Sequence, residues 1–275
     1  MAPSVLILTL NEQSNLPDCL ASVAWSDDVV VLDSFSTDST AEIAETTGAR
    51  IIRRPFDNWA SHQNWAVRNI DFKHPWVFYL DADERCDDVL AGELTSPDAL
   101  ADTCAAFQVR RKDYFMGRWL RRAQFYPTWL TRVFRPDRIR YERLVNPVAV
   151  VDGPSGQLRG HLIHYPFSHG LAHWVARHNN YSDMEAQQWL AETQGRQDWA
   201  GLLAGDATRR RRALKQLAYR LPGRPALVFW YLYLFRMGFL DGRAGLTYCR
   251  LRAMYERLID VKIAELQRRR KNLPI

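Results

Sequence analysis

The chain is poor in cysteine. Cys19, Cys86, Cys104 and Cys249 are widely spaced and form no CxxC pair. That pattern argues against a zinc ribbon and a secreted disulfide framework, and it fits a reducing compartment. The opening residues, MAPSVLILTLN, lack a basic segment and a small-residue cleavage site, so no signal peptide is expected. No apolar stretch reaches the roughly 18 residues of a spanning helix. Neither GxGxxG nor GxxxxGK[ST] occurs, which argues against a nicotinamide dinucleotide fold and a P-loop NTPase. Internal repeats and low-complexity segments are also lacking.

What is present is ordinary globular material: 275 residues, 47% hydrophobic and 25% charged, enough to bury a real core. The net charge of +6 hides an asymmetry. Residues 206–275 carry 17 Lys and Arg against 5 Asp and Glu, whereas the rest of the chain is mildly acidic. A basic tail points to a polyanionic partner, and an acidic body argues against a protein that binds nucleic acid throughout.

Four short apolar runs, Val5–Leu10, Val29–Leu32, Ala49–Ile52 and Trp76–Leu80, read as buried parallel strands. Helical segments lie between them at 11–23, 39–47 and 58–70. The alternation predicts an α/β doubly wound sheet with its ligands at the carboxyl ends of the strands. Further strands are expected at 105–111, 130–134, 148–151 and 158–163, a helix at 170–194, and a basic helical region from about 206.

Unusual residues gather at the predicted strand ends. Strand one runs into Thr9, Asn11 and Glu12, strand two into Asp33 and Asp38, strand four into Asp81-Ala82-Asp83. Two carboxylates two residues apart at a strand end suit a hard cation, Mg²⁺ or Mn²⁺. Alone, such a pair is as readily a solvated acidic turn, and Asn11 and Asp38 are as readily helix caps.

In order along the chain, VLILTLNE, VVVLDSFSTDST, FDNWASHQNWA, FYLDADE, GRWL, FYPTWLTRVFR, VDGPSGQLRGHLIHY and GFLDGRAG resemble glycosyltransferase family 2. The resemblance is closest to the bacterial subgroup that builds lipopolysaccharide core and exopolysaccharide. It implies a GT-A fold, a Rossmann-like nucleotide-diphospho-sugar transferase, with a helical, basic C-terminal extension. The catalytic domain is expected over 1–168, divided into a nucleotide-sugar half (1–103) and an acceptor and metal half (104–168). The helical region is expected over 169–275.

The same resemblance implies the site. Thr9, Asn11, Glu12 and Asp33 line the nucleotide pocket. Arg54, Gln63 and Asn64 lie near the base and diphosphate. Asp81 orients donor sugar or ribose. Asp83 binds the Mg²⁺ or Mn²⁺ ion, with His164 as its second protein ligand and His161 as the weaker candidate. Relatives invert the anomeric carbon, which needs a general base. They often carry a His-Glu pair before the VDGP segment. Here Asn146-Pro147 stands in that place, and the role passes to Glu142, then to Asp113. His169, His173 and His178 read as surface or acceptor-site histidines rather than a zinc site.

The donor implied is a nucleotide-diphosphate sugar, with UDP-glucose favoured, and the acceptor a lipid-linked glycan. Arg209–Arg212 and the aromatic run 226–235 fit an in-plane helix on an anionic membrane surface. The expected place is cytoplasmic and peripheral, on the inner face of the cell membrane, with no nucleic-acid partner. A nucleotidyltransferase and an Arg-tail nucleic-acid binder are the alternatives. The first lacks a Gly-rich, Lys-containing loop after strand one, and the second leaves the strand-end carboxylates unexplained.

Overall fold

The computed structural model describes residues 2–275 except 97–98, 101–102, 143–146, 194–197, 207–208, 211–212, 215–216, 218, 220 and 222. Asn146, Arg211 and Arg212 therefore lie outside the described residues. The chain forms two compact units, residues 1–114 with 125–168, and residues 115–124 with 169–275.

The first unit contains β1 (Ser4–Thr9), α1 (Leu16–Ala21), β2 (Val29–Asp33), α2 (Thr40–Thr46), β3 (Arg50–Arg53), α3 (Trp59–Asn69), β4 (Val77–Asp81), β5 (Glu84–Cys86), α4 (Asp88–Thr95) and β6 (Ala106–Phe115). After β7 (Arg118–Trp119), which falls in the second unit, come β8 (Thr128–Phe134), β9 (Ile139–Glu142), β10 (Val148–Val151) and β11 (Ser155–His164). The main sheet runs β3-β2-β1-β4-β8-β6-β11-β5, and β9 and β10 pair separately as an antiparallel ribbon. Strands β3, β2, β1 and β4 are parallel, as their apolar runs predict, and β8 enters antiparallel beside β4. This is the mixed α/β architecture expected of a GT-A fold.

Strand alternation explains why both faces are apolar. Val5 and Ile7 of β1 join one cluster with Leu16, Leu20, Leu90 and Leu94 from α1 and α4. Leu6 and Leu8 join the other, with Ala66 and Val67 of α3. Each such fully buried side chain stabilises the sheet by about 1.5–3 kcal/mol. Caps fix the helix starts: Asn58 accepts from the Ser61 N–H at 2.9 Å, and Asp87 from the Leu90 N–H at 2.9 Å. The Asp87 carboxylate also accepts the His161 N–H at 3.0 Å, so one side chain starts α4 and pins it to β11. The approach there is close. A Cβ on Gly160 would stand 2.3 Å from the Leu90 nitrogen, which leaves glycine as the residue that fits.

Asp28, before β2, is a buried anchor. It accepts from Ser4 Oγ at 2.5 Å and the Lys73 N–H at 2.8 Å, and pairs with Arg50 at 2.8 Å. Burial opposes its charge, but these partners together hold the carboxyl below its usual range. A depressed carboxyl contributes stability above its unfolded pKa, near 4, and loses it as pH falls through the folded value. Asp28→Asn is therefore expected to lower stability at neutral pH by about 2 kcal/mol. The gap to wild type should narrow below about pH 4 in urea unfolding curves.

The second unit holds the 115–124 segment, α5 (Gly170–Thr193), α6 (Arg224–Trp230) and α7 (Gly242–Arg270). Residues 115–124 group with the helical unit rather than with the strands on either side of them in sequence. Within that unit Asp241 accepts the backbone N–H groups of Arg122 and Ala123, at 2.8 and 2.7 Å. Ala186, Trp189 and Leu190 of α5 meet Ile259 and Ile263 of α7 in a small core. The run 226–235 is helical, with a wider π turn over Tyr231–Phe235. Among the described residues no helix is long and apolar enough to cross a membrane.

Candidate active site

Strand register builds the site. Across β5, β11 and β6 it aligns Glu84 with His164, and His164 with Asp113. Asp83 sits in the turn between β4 and β5, and its carbonyl accepts the Tyr165 N–H at 2.9 Å. His164 Nε2 thus lies 3.3 Å from Asp83 Oδ2, and its Nδ1 lies 2.5 Å from Asp113 Oδ1. Burial opposes a charge on this imidazole, but Asp83 and the hydrogen bonds to Asp113 and Asp83 outweigh it and push the pKa up to about 9. Burial also opposes ionised Asp113. The His164 hydrogen bond and the Arg111 guanidinium, 3.0 Å away, hold that carboxyl below its usual range.

Beside this cluster lies a second one that sequence reasoning missed. Arg132 of β8 reaches Asp81 and Glu84, each at 2.8 Å, and its guanidinium lies 4.3 Å from the Tyr79 ring centroid. The Tyr79 hydroxyl donates to Asp81 at 2.5 Å and accepts from Gln63 Nε2 at 3.2 Å. Glu84 is fully buried, and burial lifts its carboxyl against the pull of Arg132. Arg132 is itself pushed up, because Glu84 and Asp81 outweigh the burial that opposes its charge. A signal was available in FYPTWLTRVFR: an arginine beside Val133 and Phe134 in a strand implies a carboxylate partner inside.

The other predicted pocket residues fall into two groups. Thr9 and Asp33 meet at the ends of β1 and β2, 3.1 Å apart, and Asp33 also accepts the Ser36 N–H at 2.9 Å. Asn11, at φ 57°, accepts the Thr37 N–H at 2.8 Å, so it closes the loop after β2. Glu12 accepts from Asn15 at 2.7 Å. Asp38 precedes Ser39, the N-cap of α2, and accepts the Thr40 N–H at 3.0 Å. Arg54 pairs with Asp57 at 2.8 Å, contacts His62 Nδ1 at 2.7 Å and lies over Trp65. Buried Gln63 reaches the Asp81 network through Tyr79, and its Oε1 has no hydrogen-bond partner among the described residues. Asn64 has a different task from the one expected. Its amide donates to the Tyr141 carbonyl and accepts the Tyr141 N–H, both at 2.8 Å, so it clamps β9 to α3.

Burial separates the two candidates for the base. Asp113 is 4% exposed and engaged with His164, which suits a residue that orients the histidine. Glu142 stands on the exposed face of β9, 3.2 Å from Arg140, while Tyr141 turns inward. His161 is held by Asp87 and by Tyr126, outside the Asp83 cluster. His169 and His173 lie ring to ring, and His178 stacks on Trp174.

Among the described residues no set of three or more His, Cys, Asp or Glu side chains is arranged to hold a metal by itself. The cluster nonetheless fits a divalent ion. Asp81, Asp83, Glu84 and Asp113 face Arg111 and Arg132, a formal excess of two negative charges before His164 is counted. Asp83 and His164 offer one oxygen and one nitrogen, and Asp113 fixes the far ring nitrogen, as carboxylates commonly do behind a metal-bound histidine. A site with few protein ligands leaves positions for phosphate oxygens and water, the usual arrangement for such ions at nucleotides.

The family model described as Glycosyl transferase family 2 matches residues 4–156. The lipopolysaccharide core biosynthesis glycosyltransferase LpsC of Rhizobium meliloti is 28% identical over 194 residues, 67% of this chain and 70% of its own. An uncharacterized glycosyltransferase of Rickettsia typhi is 34% identical over 92 residues, 33% of this chain and 31% of its own. Among solved structures, glucosyl-3-phosphoglycerate synthase of Mycobacterium tuberculosis, in complex with Mn²⁺, UDP-glucose and phosphoglyceric acid, overlaps with a TM-score of 0.33. It shares 19% identity over 40% of this chain and 44% of that one.

Proposed function

The chain belongs to glycosyltransferase family 2, and on that footing we propose an inverting, divalent-metal-dependent hexosyltransferase. It moves a sugar from a nucleotide-diphosphate donor, UDP-glucose first among the candidates, to a lipid-linked glycan such as a lipopolysaccharide core or exopolysaccharide intermediate. The observation that supports this best is the meeting of Asp83 with His164, 81 positions apart in sequence and 3.3 Å apart in space. The name of the Rhizobium meliloti relative supports the acceptor class. The protein works at the inner face of the cell membrane, on an anionic surface, with no nucleic-acid partner.

In this reading Thr9, Asn11, Glu12, Asp33, Arg54 and Gln63 shape the nucleotide pocket, and Asn64 acts indirectly by holding β9. Asp81 orients the donor sugar or ribose, directed by its contacts with Arg132 and Tyr79. Asp83 and His164 hold Mg²⁺ or Mn²⁺, which when bound supplies positive charge to the diphosphate as the nucleotide departs. Asp113 keeps His164 turned so that Nε2 faces Asp83. Glu142 takes the proton of the acceptor hydroxyl, since inversion in one displacement needs one base.

Glu142→Gln is expected to cut turnover by about a hundredfold or more while leaving the donor KM unchanged in a transfer assay. Normal turnover moves the base elsewhere.

The reading as a whole is tested by thermal shift with UDP, GDP, CMP and their sugars, in Mn²⁺, in Mg²⁺ and in chelator. One nucleotide class should raise the melting temperature only with metal. At a hundredfold excess over Kd the stabilisation is about 2.7 kcal/mol, large enough to see. Equal shifts with and without metal overturn the metal assignment, and no shift with any nucleotide overturns the donor assignment.

A further inference from the structure

The helical unit carries two features that the transfer reaction does not use. The first is an amphipathic segment turned outward. Along α6 and the π turn, Leu227, Trp230, Tyr231, Leu234 and Phe235 recur at helical spacing, and all are exposed, Phe235 by 80%. The buried side of the same segment holds Leu232 and, at its start, Arg224. Arg224 is bound to Asp260 at 2.6 Å, to Glu256, and lies over Tyr219. A surface helix ordinarily buries its apolar stripe. This one buries an arginine and presents aromatics, and Phe239 and Leu240 extend the apolar surface beyond it.

The second feature is a cavity of about 430 Å³ lined by Arg118, Trp119, Arg121, Arg122, Leu240 and Asp241. It is an open, surface-facing pocket whose lining is tied in place. The Asp241 carboxylate ties the 122–123 backbone, and Arg118 donates to the Leu240 carbonyl at 3.0 Å. Gly238 and Gly245 are packed so closely that a Cβ on either would collide with backbone, at 2.7 and 2.2 Å. With Asp241 engaged by two N–H groups, the guanidiniums of Arg118, Arg121 and Arg122 dominate the charge. None of the three forms an ion pair among the described residues. Leu240 belongs to both features: it lines the cavity and is half exposed.

We propose that this cavity seats the phosphate of an anionic lipid headgroup while the neighbouring aromatic surface enters the bilayer interface. Guanidiniums suit phosphate oxygens, and Trp, Tyr, Phe and Leu on one face suit the headgroup–acyl boundary. The inference rests on the membrane-surface part of the proposed function and gives it an address: Arg118, Arg121 and Arg122, not the Arg209–Arg212 run.

The test is co-sedimentation of the full chain with phosphatidylcholine vesicles, with and without phosphatidylglycerol. Wild type should prefer the anionic vesicles. Arg121→Gln/Arg122→Gln should weaken that binding about thirtyfold, at about 1 kcal/mol per arginine. It should retain binding to neutral vesicles and the metal-dependent nucleotide shift, which report the apolar surface and a folded catalytic unit. Trp230→Ser/Phe235→Ser should lose both vesicle types. Binding of the wild type without preference for phosphatidylglycerol overturns the phosphate seat and leaves the membrane reading standing. Binding to neither vesicle overturns both. Release from anionic vesicles by inorganic phosphate at low millimolar concentration marks a free-phosphate site and overturns the lipid assignment. An unchanged preference in the Arg121→Gln/Arg122→Gln variant overturns the address.

Discussion

An Asp83→Ala variant is expected to lose the metal-dependent part of nucleotide binding and to transfer sugar at least about a thousandfold more slowly, the several kcal/mol that a bound cation contributes to a departing charge. The fold should survive. Asp83 lies in a turn, its side chain is 17% exposed, and its carbonyl bond to the Tyr165 N–H remains in the variant. The measurement is isothermal titration of nucleotide diphosphate in Mn²⁺ and in chelator, beside single-turnover transfer. Wild-type affinity in the variant would falsify the assignment. A loss equal in both media shows a damaged pocket rather than a missing ligand, and moves the site away from Asp83.

The second large effect concerns stability. Arg132→Met removes the one cation that, among the described residues, reaches both Asp81 and Glu84, and leaves a fully buried carboxyl without that partner. Breaking a buried pair from one side costs about 3–5 kcal/mol. At roughly 2–4 °C per kcal/mol for a domain of this size, the melting temperature should fall by about 10 °C. Adding Glu84→Gln should return part of that loss, because the neutral amide no longer requires a counter-charge. The coupling read from the two single variants and the double one is the diagnostic. A melting temperature unmoved by Arg132→Met shows that Glu84 is held neutral in the wild type.

Much of this was legible in the sequence. Of the four parallel strands, β1, β2 and β4 announce themselves because strands buried on both faces are continuous apolar runs, and a carboxylate at such a run's end lies at the ligand edge, whereas β3 is a half-buried edge strand. The partnership of Asp83 with His164 followed from the resemblance alone, since nothing local links residues so far apart. Arg132, Glu84 and Tyr79 escaped because their meaning is relational: each looks like a surface or core residue until β8 is set beside β4. The contacts of Asn64 were hidden for the opposite reason. An amide on a helix among polar residues reads as a ligand contact, whereas this one completes the hydrogen bonding of a ribbon outside the main sheet. The grouping of 115–124 with the helical unit was not legible, because continuity along the chain says nothing of continuity in space.

The Asn64 clamp has a consequence for how such enzymes diversify. An amide that grips only the N–H and carbonyl of Tyr141 is indifferent to the side chains of the strand it holds. Of the ribbon's exposed outward positions, Arg140 and Val148 are open to substitution, while Glu142 carries the proposed base. The ribbon is held through its backbone at Asn64 and through Ile139 and Tyr141, whose side chains enter the apolar cluster beside α3. A clamp of this kind fixes the path of the ribbon and leaves its solvent-facing side chains open to change, so long as the asparagine at 64 and the inward residues at 139 and 141 are kept.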